Sequence, residues 1–82
     1  MYKCPICGYI GLDEQPYDEN RCASYEICPC CGFEFGFDDG DQRNTFEQYR
    51  AKWISSGAQW FSPKKQPKNW NLEEQLNNLK KN

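Results

Sequence analysis

The sequence predicts a small α+β domain in which short antiparallel strands surround two metal-binding knuckles and one or two helices follow. Three observations predict it. Two near-identical C-P-x-C-G segments, Cys4-Pro5-Ile6-Cys7-Gly8 and Cys28-Pro29-Cys30-Cys31-Gly32, stand with twenty residues between the cysteine pairs. Phe33, Phe35 and Phe37 alternate with Glu34 and Gly36, the period-2 pattern of a strand with one aromatic face. After residue 44 the aromatics Phe46, Tyr49 and Trp53 recur at helical spacing.

The knuckles come first in the argument because they explain how so short a chain holds together. In a C-P-x-C-G turn, proline sets the bend and glycine accepts the left-handed backbone that follows the second cysteine. One such turn is weak evidence, but two with Pro and Gly in register supply four thiols for a tetrahedral site. The candidate ligands are Cys4, Cys7, Cys28 and Cys31. A chain of 82 residues buries little apolar surface and needs a staple. Structural zinc contributes an apparent ~10–16 kcal/mol in small metal-folded peptides.

Each remaining element follows in order. Tyr2–Cys4 and Tyr9–Leu12 are expected as strands flanking the first knuckle, Tyr25–Cys28 and Phe33–Phe37 as strands flanking the second. Asp13 to Arg21 reads as a polar loop with Pro16. Asp38-Asp39-Gly40-Asp41 lacks the closing glutamate of a calcium loop and reads as an acidic turn. A helix is expected to start near Asn44 or Thr45, through capping boxes with Glu47 or Gln48, and to stop at Gly57. Its stripe of Phe46, Tyr49 and Trp53 is expected to cover Phe33, Phe35 and Phe37. Residues 58–70 form a loop carrying Lys64, Lys65 and Lys68 among Trp60, Phe61 and Trp70. Asn71 then caps a second helix, with Glu74 closing the box and Leu72, Leu76 and Leu79 as its apolar face. Lys80 and Lys81 suit its C-terminal end.

Composition narrows the chemistry. The chain has no histidine, which excludes Cys2His2 and Cys3His sites and removes the commonest general base. Four matched thiols argue for a closed structural site rather than a catalytic one with an open position. The expectation is a protein that is not an enzyme. Residues 1–41 carry two basic residues against nine acids, a net of −7, and residues 42–82 carry eight against three, a net of +5. An acidic knuckle half repels phosphate, so nucleic acid is disfavoured as its partner. The interleaved lysines and rings of residues 58–70 nonetheless form a pattern found in single-strand binders. Met1-Tyr2-Lys3 leads directly into Cys4, without space for a signal peptide, and no apolar run reaches membrane-spanning length. The expected setting is cytoplasmic, with reduced thiols. Two cysteines, Cys22 and Cys30, are spare. They read either as small hydrophobes or as redox-active thiols, including a Cys22–Cys30 disulfide. The Cys30 side chain is expected to point away from the metal.

Cys4-Pro5-Ile6-Cys7-Gly8-Tyr9, Tyr25-Glu26-Ile27-Cys28-Pro29-Cys30-Cys31-Gly32 and the acids at Asp38-Asp39 resemble the cysteine-rich CPCC family of short bacterial proteins. The resemblance covers residues 1–41 and implies fold and metal rather than an activity. The knuckles are also similar to those of zinc ribbons and rubredoxins. A rubredoxin would use iron for electron transfer, but its knuckles lie further apart and it has no counterpart of this C-terminal half. The sequence thus predicts one domain over 1–82, built of a metal-knuckle β half (1–41) and a helical basic half (42–82). Cys4, Cys7, Cys28 and Cys31 are expected to hold one Zn²⁺, with Fe as the alternative, in a module that binds another protein. The alternatives are an iron electron carrier and a nucleic-acid binder using Lys64, Lys65, Lys68, Trp60 and Trp70.

Overall fold

Both knuckles close in the same way in the computed structural model, which describes residues 1–41 and 45–80. The amide of Gly8 bonds the Cys4 carbonyl at 3.0 Å, and that of Gly32 bonds the Cys28 carbonyl at 2.8 Å. The amide of Cys4 then reaches the Tyr9 carbonyl at 2.7 Å, and that of Cys28 the Phe33 carbonyl at 3.0 Å. Gly8 and Gly32 sit at φ +85° and +79°, the left-handed conformation the motif requires.

The expected strands do not form, which overturns the α+β class with its short antiparallel strands. Among the described residues there are isolated antiparallel bridges only: Tyr2–Leu12, Tyr17–Ala23 and Ile27–Glu34. The reason is register. On the first knuckle, pairing steps from Cys4–Tyr9 to Tyr2–Leu12, so one arm carries an extra residue and the ladder cannot propagate. On the second, Tyr25 at φ +61° and Gly36 at φ +99° break the extended backbone on both arms just beyond Ile27–Glu34. The alternating phenylalanines therefore serve a shorter run than expected. Phe33 and Phe35 are fully buried, whereas Phe37 is 39% exposed and begins a π-helical turn, Phe37–Asp41.

That acidic turn is tied to the chain by its carboxylates. Asp38 Oδ2 accepts from the Glu34 amide at 2.8 Å, and Asp39 Oδ1 from the Gly36 amide at 2.8 Å. Asp39 Oδ2 accepts from the Tyr17 hydroxyl. Within the loop before the second knuckle, Asp18 Oδ1 accepts from the amides of Asn20 and Cys22. The Glu26 carboxylate holds the amides of Asp13 and Glu14 at 3.0 Å each.

Helix α1 spans Phe46–Ser55 and starts at Thr45, whose hydroxyl and Gln48 form a complete capping box. The alternative cap, Asn44, lies outside the described residues, as does Lys81. The helix stops as expected at Gly57, φ +109°. The Gly57 amide bonds the Ile54 carbonyl and the Ala58 amide bonds that of Trp53, a Schellman pair. Helix α2 spans Leu72–Asn77 and continues as a 3₁₀ turn, Asn78–Lys80. Asn71 caps it by accepting from the Glu74 amide at 3.0 Å. Among the described residues, no helix is long and apolar enough to cross a membrane.

The core joins residues of both halves: Cys4, Ile6, Cys7, Leu12, Cys28, Cys30, Cys31, Phe33 and Phe35 from the first, Trp53, Ala58 and Trp60 from the second. Phe46 and Tyr49 pack edge-on to Phe33 at 5.8 and 4.9 Å between ring centres. Each fully buried ring contributes roughly 1.5–3 kcal/mol. Trp53 departs from the expected arrangement, pairing with Trp70 at 6.4 Å rather than with the phenylalanines. Phe35 is covered instead by Tyr17 at 5.9 Å, a loop residue whose role the loop's polarity concealed.

Candidate metal centre

The two knuckles face each other and bring the sulfurs of Cys4, Cys7, Cys28 and Cys31 within 4.8 Å of one another, all buried. Cys4 and Cys31 lie 3.8 Å apart, and Cys7 and Cys28 lie 3.7 Å apart. Those separations far exceed a disulfide bond. They match the edge of a tetrahedron, about 3.8 Å, that zinc–sulfur bonds of ~2.3 Å would generate. The residues present thus fit a single tetrahedral metal ion. The Ile6 amide points at Cys4 Sγ from 3.4 Å.

Electrostatics fit a cation as well. Hydrogen bonds from Cys31, then Cys4 and Cys7, hold the Cys28 thiol far below the usual thiol range. The bond with Cys28, together with burial, drives Cys7 and Cys31 far above it. The bare cluster stabilises one negative charge and resists further ones, because like charges crowd in a dry space. A divalent cation removes that resistance. The tyrosines nearby carry raised pKa values through burial first: Tyr49 to about 12, Tyr9 and Tyr17 also upward, the last helped by its bond to Asp39.

Helical residues grip the outside of the knuckles. The Arg50 guanidinium donates to the carbonyls of Ile6 and Pro5, the second at 3.0 Å. The Tyr49 hydroxyl donates to the Cys31 carbonyl at 3.1 Å. Chain segments 61–62 add two backbone bonds, Phe61 amide to Cys30 carbonyl at 3.0 Å and Ser62 amide to Pro29 carbonyl at 2.8 Å. Gln75 is the buried residue of α2, where Leu72 and Leu76 are only half-buried. Its side-chain amide donates to the Cys7 carbonyl at 3.1 Å, and the Asn78 amide donates to the Gly8 carbonyl at 2.9 Å. A signal for Arg50 and Gln75 exists in the sequence: each stands inside its helix's apolar stripe, at i+4 from Phe46 and i+3 from Leu72 respectively.

The spare cysteines differ from each other. Cys22 is exposed, and Cys30 is wholly buried. Both are free thiols, so the Cys22–Cys30 disulfide does not form. Cys30 Sγ lies outside the tetrad. It accepts from Gln75 Nε2 at 3.2 Å. In the loop, Lys64, Lys65 and Lys68 are exposed, but Trp60 is buried against Tyr9 and Trp70 at 5.5 and 5.6 Å. The rings on which a single strand would stack are thereby used in the core, and Phe61, 60% exposed, is the loop's surface ring.

No protein-family profile matches the chain, and no solved structure matches it. Two curated relatives are similar along most of its length. The uncharacterized protein YoaQ of Bacillus subtilis (strain 168) is 39% identical over 100 aligned positions, taking in 98% of this chain and 85% of the relative. The uncharacterized protein YozI of the same organism is 34% identical over 82 positions, 82% of this chain and 68% of the relative. The chain therefore belongs to the family of the Bacillus subtilis proteins YoaQ and YozI.

Proposed function

We propose that the protein is a small non-enzymatic module in which Cys4, Cys7, Cys28 and Cys31 hold one structural Zn²⁺ and whose surface binds another protein. The observation that carries the reading is the set of four buried sulfurs at tetrahedral spacing. A catalytic zinc keeps a position for water, whereas four thiolates complete the tetrahedron. Bound zinc supplies cross-linking of the two knuckles and no redox step. The absence of histidine from the sequence and the free cysteines favour a non-catalytic protein of a reducing compartment such as the cytoplasm. The resemblance to cysteine-rich CPCC proteins supports the metal. For a protein partner, the support is the apolar surface left on the knuckle half, where Tyr25 is 63% exposed and Ile10 and Ile27 are exposed too.

Elemental analysis of protein purified without added metal tests the reading. One zinc per chain in a colourless protein is the expected result. Iron with strong visible absorption would replace it with rubredoxin-like electron transfer, since iron accepts the same four thiolates. A metal-free folded protein would overturn both.

A further inference from the structure

Helix α2 leaves part of its apolar stripe outside the core. Leu72 packs on the core cluster, but the buried residue of the helix is Gln75, so Leu76 and Leu79 stay half-buried. Both line an open groove of about 560 Å³, together with Lys3, Pro5, Arg50 and Lys80. The lining therefore holds three cations and no acid, in a chain whose net charge is −2. Two of the cations are tethered. Lys3 Nζ donates to the Asn78 carbonyl at 2.9 Å, and Arg50 donates through Nε to the Ile6 carbonyl and through Nη2 to the Pro5 carbonyl. A carbonyl neutralises no charge. Among the described residues, neither Arg50 nor Lys80 has a carboxylate partner. The Arg50 guanidinium keeps further N–H donors in a fixed fork, a geometry that suits a carboxylate.

We propose that this groove binds an amphipathic helical segment of a partner protein, with its apolar side chains on Leu76, Leu79 and Pro5 and its acidic residues on Arg50 and Lys80. The inference rests on the protein-binding reading above, names the chemistry of the partner and uses a different face from Tyr25. Other occupants match the groove less well. A phosphate polyanion gains nothing from a leucine floor and is repelled by the acidic half. An acyl chain in an open groove keeps one side in water. A second copy would offer its exposed Tyr25 and Ile27, but the acid between them, Glu26, already holds the amides of Asp13 and Glu14. An acidic amphipathic helix covers the leucines, pairs the cations at the rim and keeps its polar side in water, the helix-in-groove mode. Tethering of Arg50 lowers the ordering cost of that binding.

The test titrates the ¹⁵N-labelled full chain, with the metal it carries on purification, and follows its amide NMR signals. The probe is a synthetic amphipathic helix with leucines at i, i+3 and i+7 and glutamates beside them, compared with the same peptide carrying glutamines. The acidic peptide should shift the amides of Lys3, Arg50 and residues 76–80, and the glutamine peptide should bind about tenfold more weakly. Lys80→Glu and Leu79→Ser should each weaken the acidic peptide about fivefold. Neither residue belongs to the core, so both variants should keep the near-UV aromatic signal. Equal affinities for the two peptides, variants that bind like wild type, or no shift at millimolar acidic peptide overturn the proposal. So do shifts of the same amides by phosphatidylglycerol vesicles and not by peptide, which assign the groove to lipid. Shifts produced by raising the protein concentration alone assign it to a second copy and overturn it too. Shifts confined to Tyr25 and Ile27 overturn the groove but leave the protein-binding reading in place.

Discussion

The hydroxyl of Tyr49, on α1, donates to the carbonyl of Cys31, a member of the candidate metal tetrad, at 3.1 Å. Through this bond, and its edge-on contact with Phe33 at 4.9 Å, the first helix touches both the site and the aromatic core. Its burial has a consequence for pH. The Tyr49 pKa is pushed up to about 12, chiefly by desolvation, from its ordinary 10. The folded protein therefore keeps a proton that the unfolded chain gives up. The resulting stability is complete below pH ~10 and is lost as pH rises toward ~12. Denaturant midpoints at pH 9 and 11 should fall less for Tyr49→Phe than for wild type. Equal falls would remove Tyr49 from the alkaline transition. At pH 7 the substitution should cost about 1 kcal/mol for the lost hydrogen bond.

Loss of any one ligand should release the metal and most tertiary structure together, because ordering and binding are one free energy in a small metal-held fold. Cys4→Ser and Cys31→Ser should each lose metal by elemental analysis and the near-UV aromatic signal. A chelated wild-type protein that keeps that signal and its melting temperature would show that the fold does not need the ion.

The six cysteines should separate by reactivity. Cys22 is the exposed one, and the other five are buried. A thiol reagent should therefore modify about one thiol per native chain quickly, and the rest only after chelation or unfolding. Cys22→Ser should abolish the fast phase without changing metal stoichiometry. Rapid modification of several thiols in the metal-loaded protein would contradict the burial.

Trp53 is 6% exposed, donates its indole N–H to the Gln59 carbonyl at 2.9 Å and packs on Trp70. Trp53→Ala should cost about 3–5 kcal/mol, measured by urea denaturation. A chain ending at Gly40 should bind hydrophobic dye, because Phe33 loses the cover of Phe46 and Tyr49. A truncated chain with an unchanged melting temperature would mean that α1 is not part of the core.

Two glycines separate close packing from backbone strain. Gly8 and Gly57 both have positive φ, but a Cβ on Gly8 would collide with the Gln75 carbonyl while one on Gly57 meets only the Gln59 side chain at 3.8 Å. Gly57→Ala should cost about 1 kcal/mol, from strain alone. Gly8→Ala should cost more, and hydrogen exchange should localise the difference to α2. Equal costs for the two would mean that the helix is not seated on the first knuckle.

Much of this protein was legible in local sequence. The C-P-x-C-G repeats specify the turns, because proline and the left-handed glycine act within five residues. The same repeats mark the four cysteines that meet in the tetrad. Thr45 with Gln48, Gly57 and Asn71 set helix ends through bonds spanning three to five residues. Tertiary structure decided the rest. A period-2 run at Phe33–Phe37 cannot reveal that Tyr25 and Gly36 break both arms, so strands were expected where isolated bridges form. The destination of Trp53 depended on Trp70, which stands at the far end of a long loop. The hydrogen-bond partner of Cys30, Gln75, stands 45 residues later, and no local rule links an amide on one helix to a thiol in a turn. Short-range geometry was written in the residues themselves. Which buried polar group meets which partner was settled only when the two halves closed on one core, because a buried donor takes whatever acceptor the packing brings within reach.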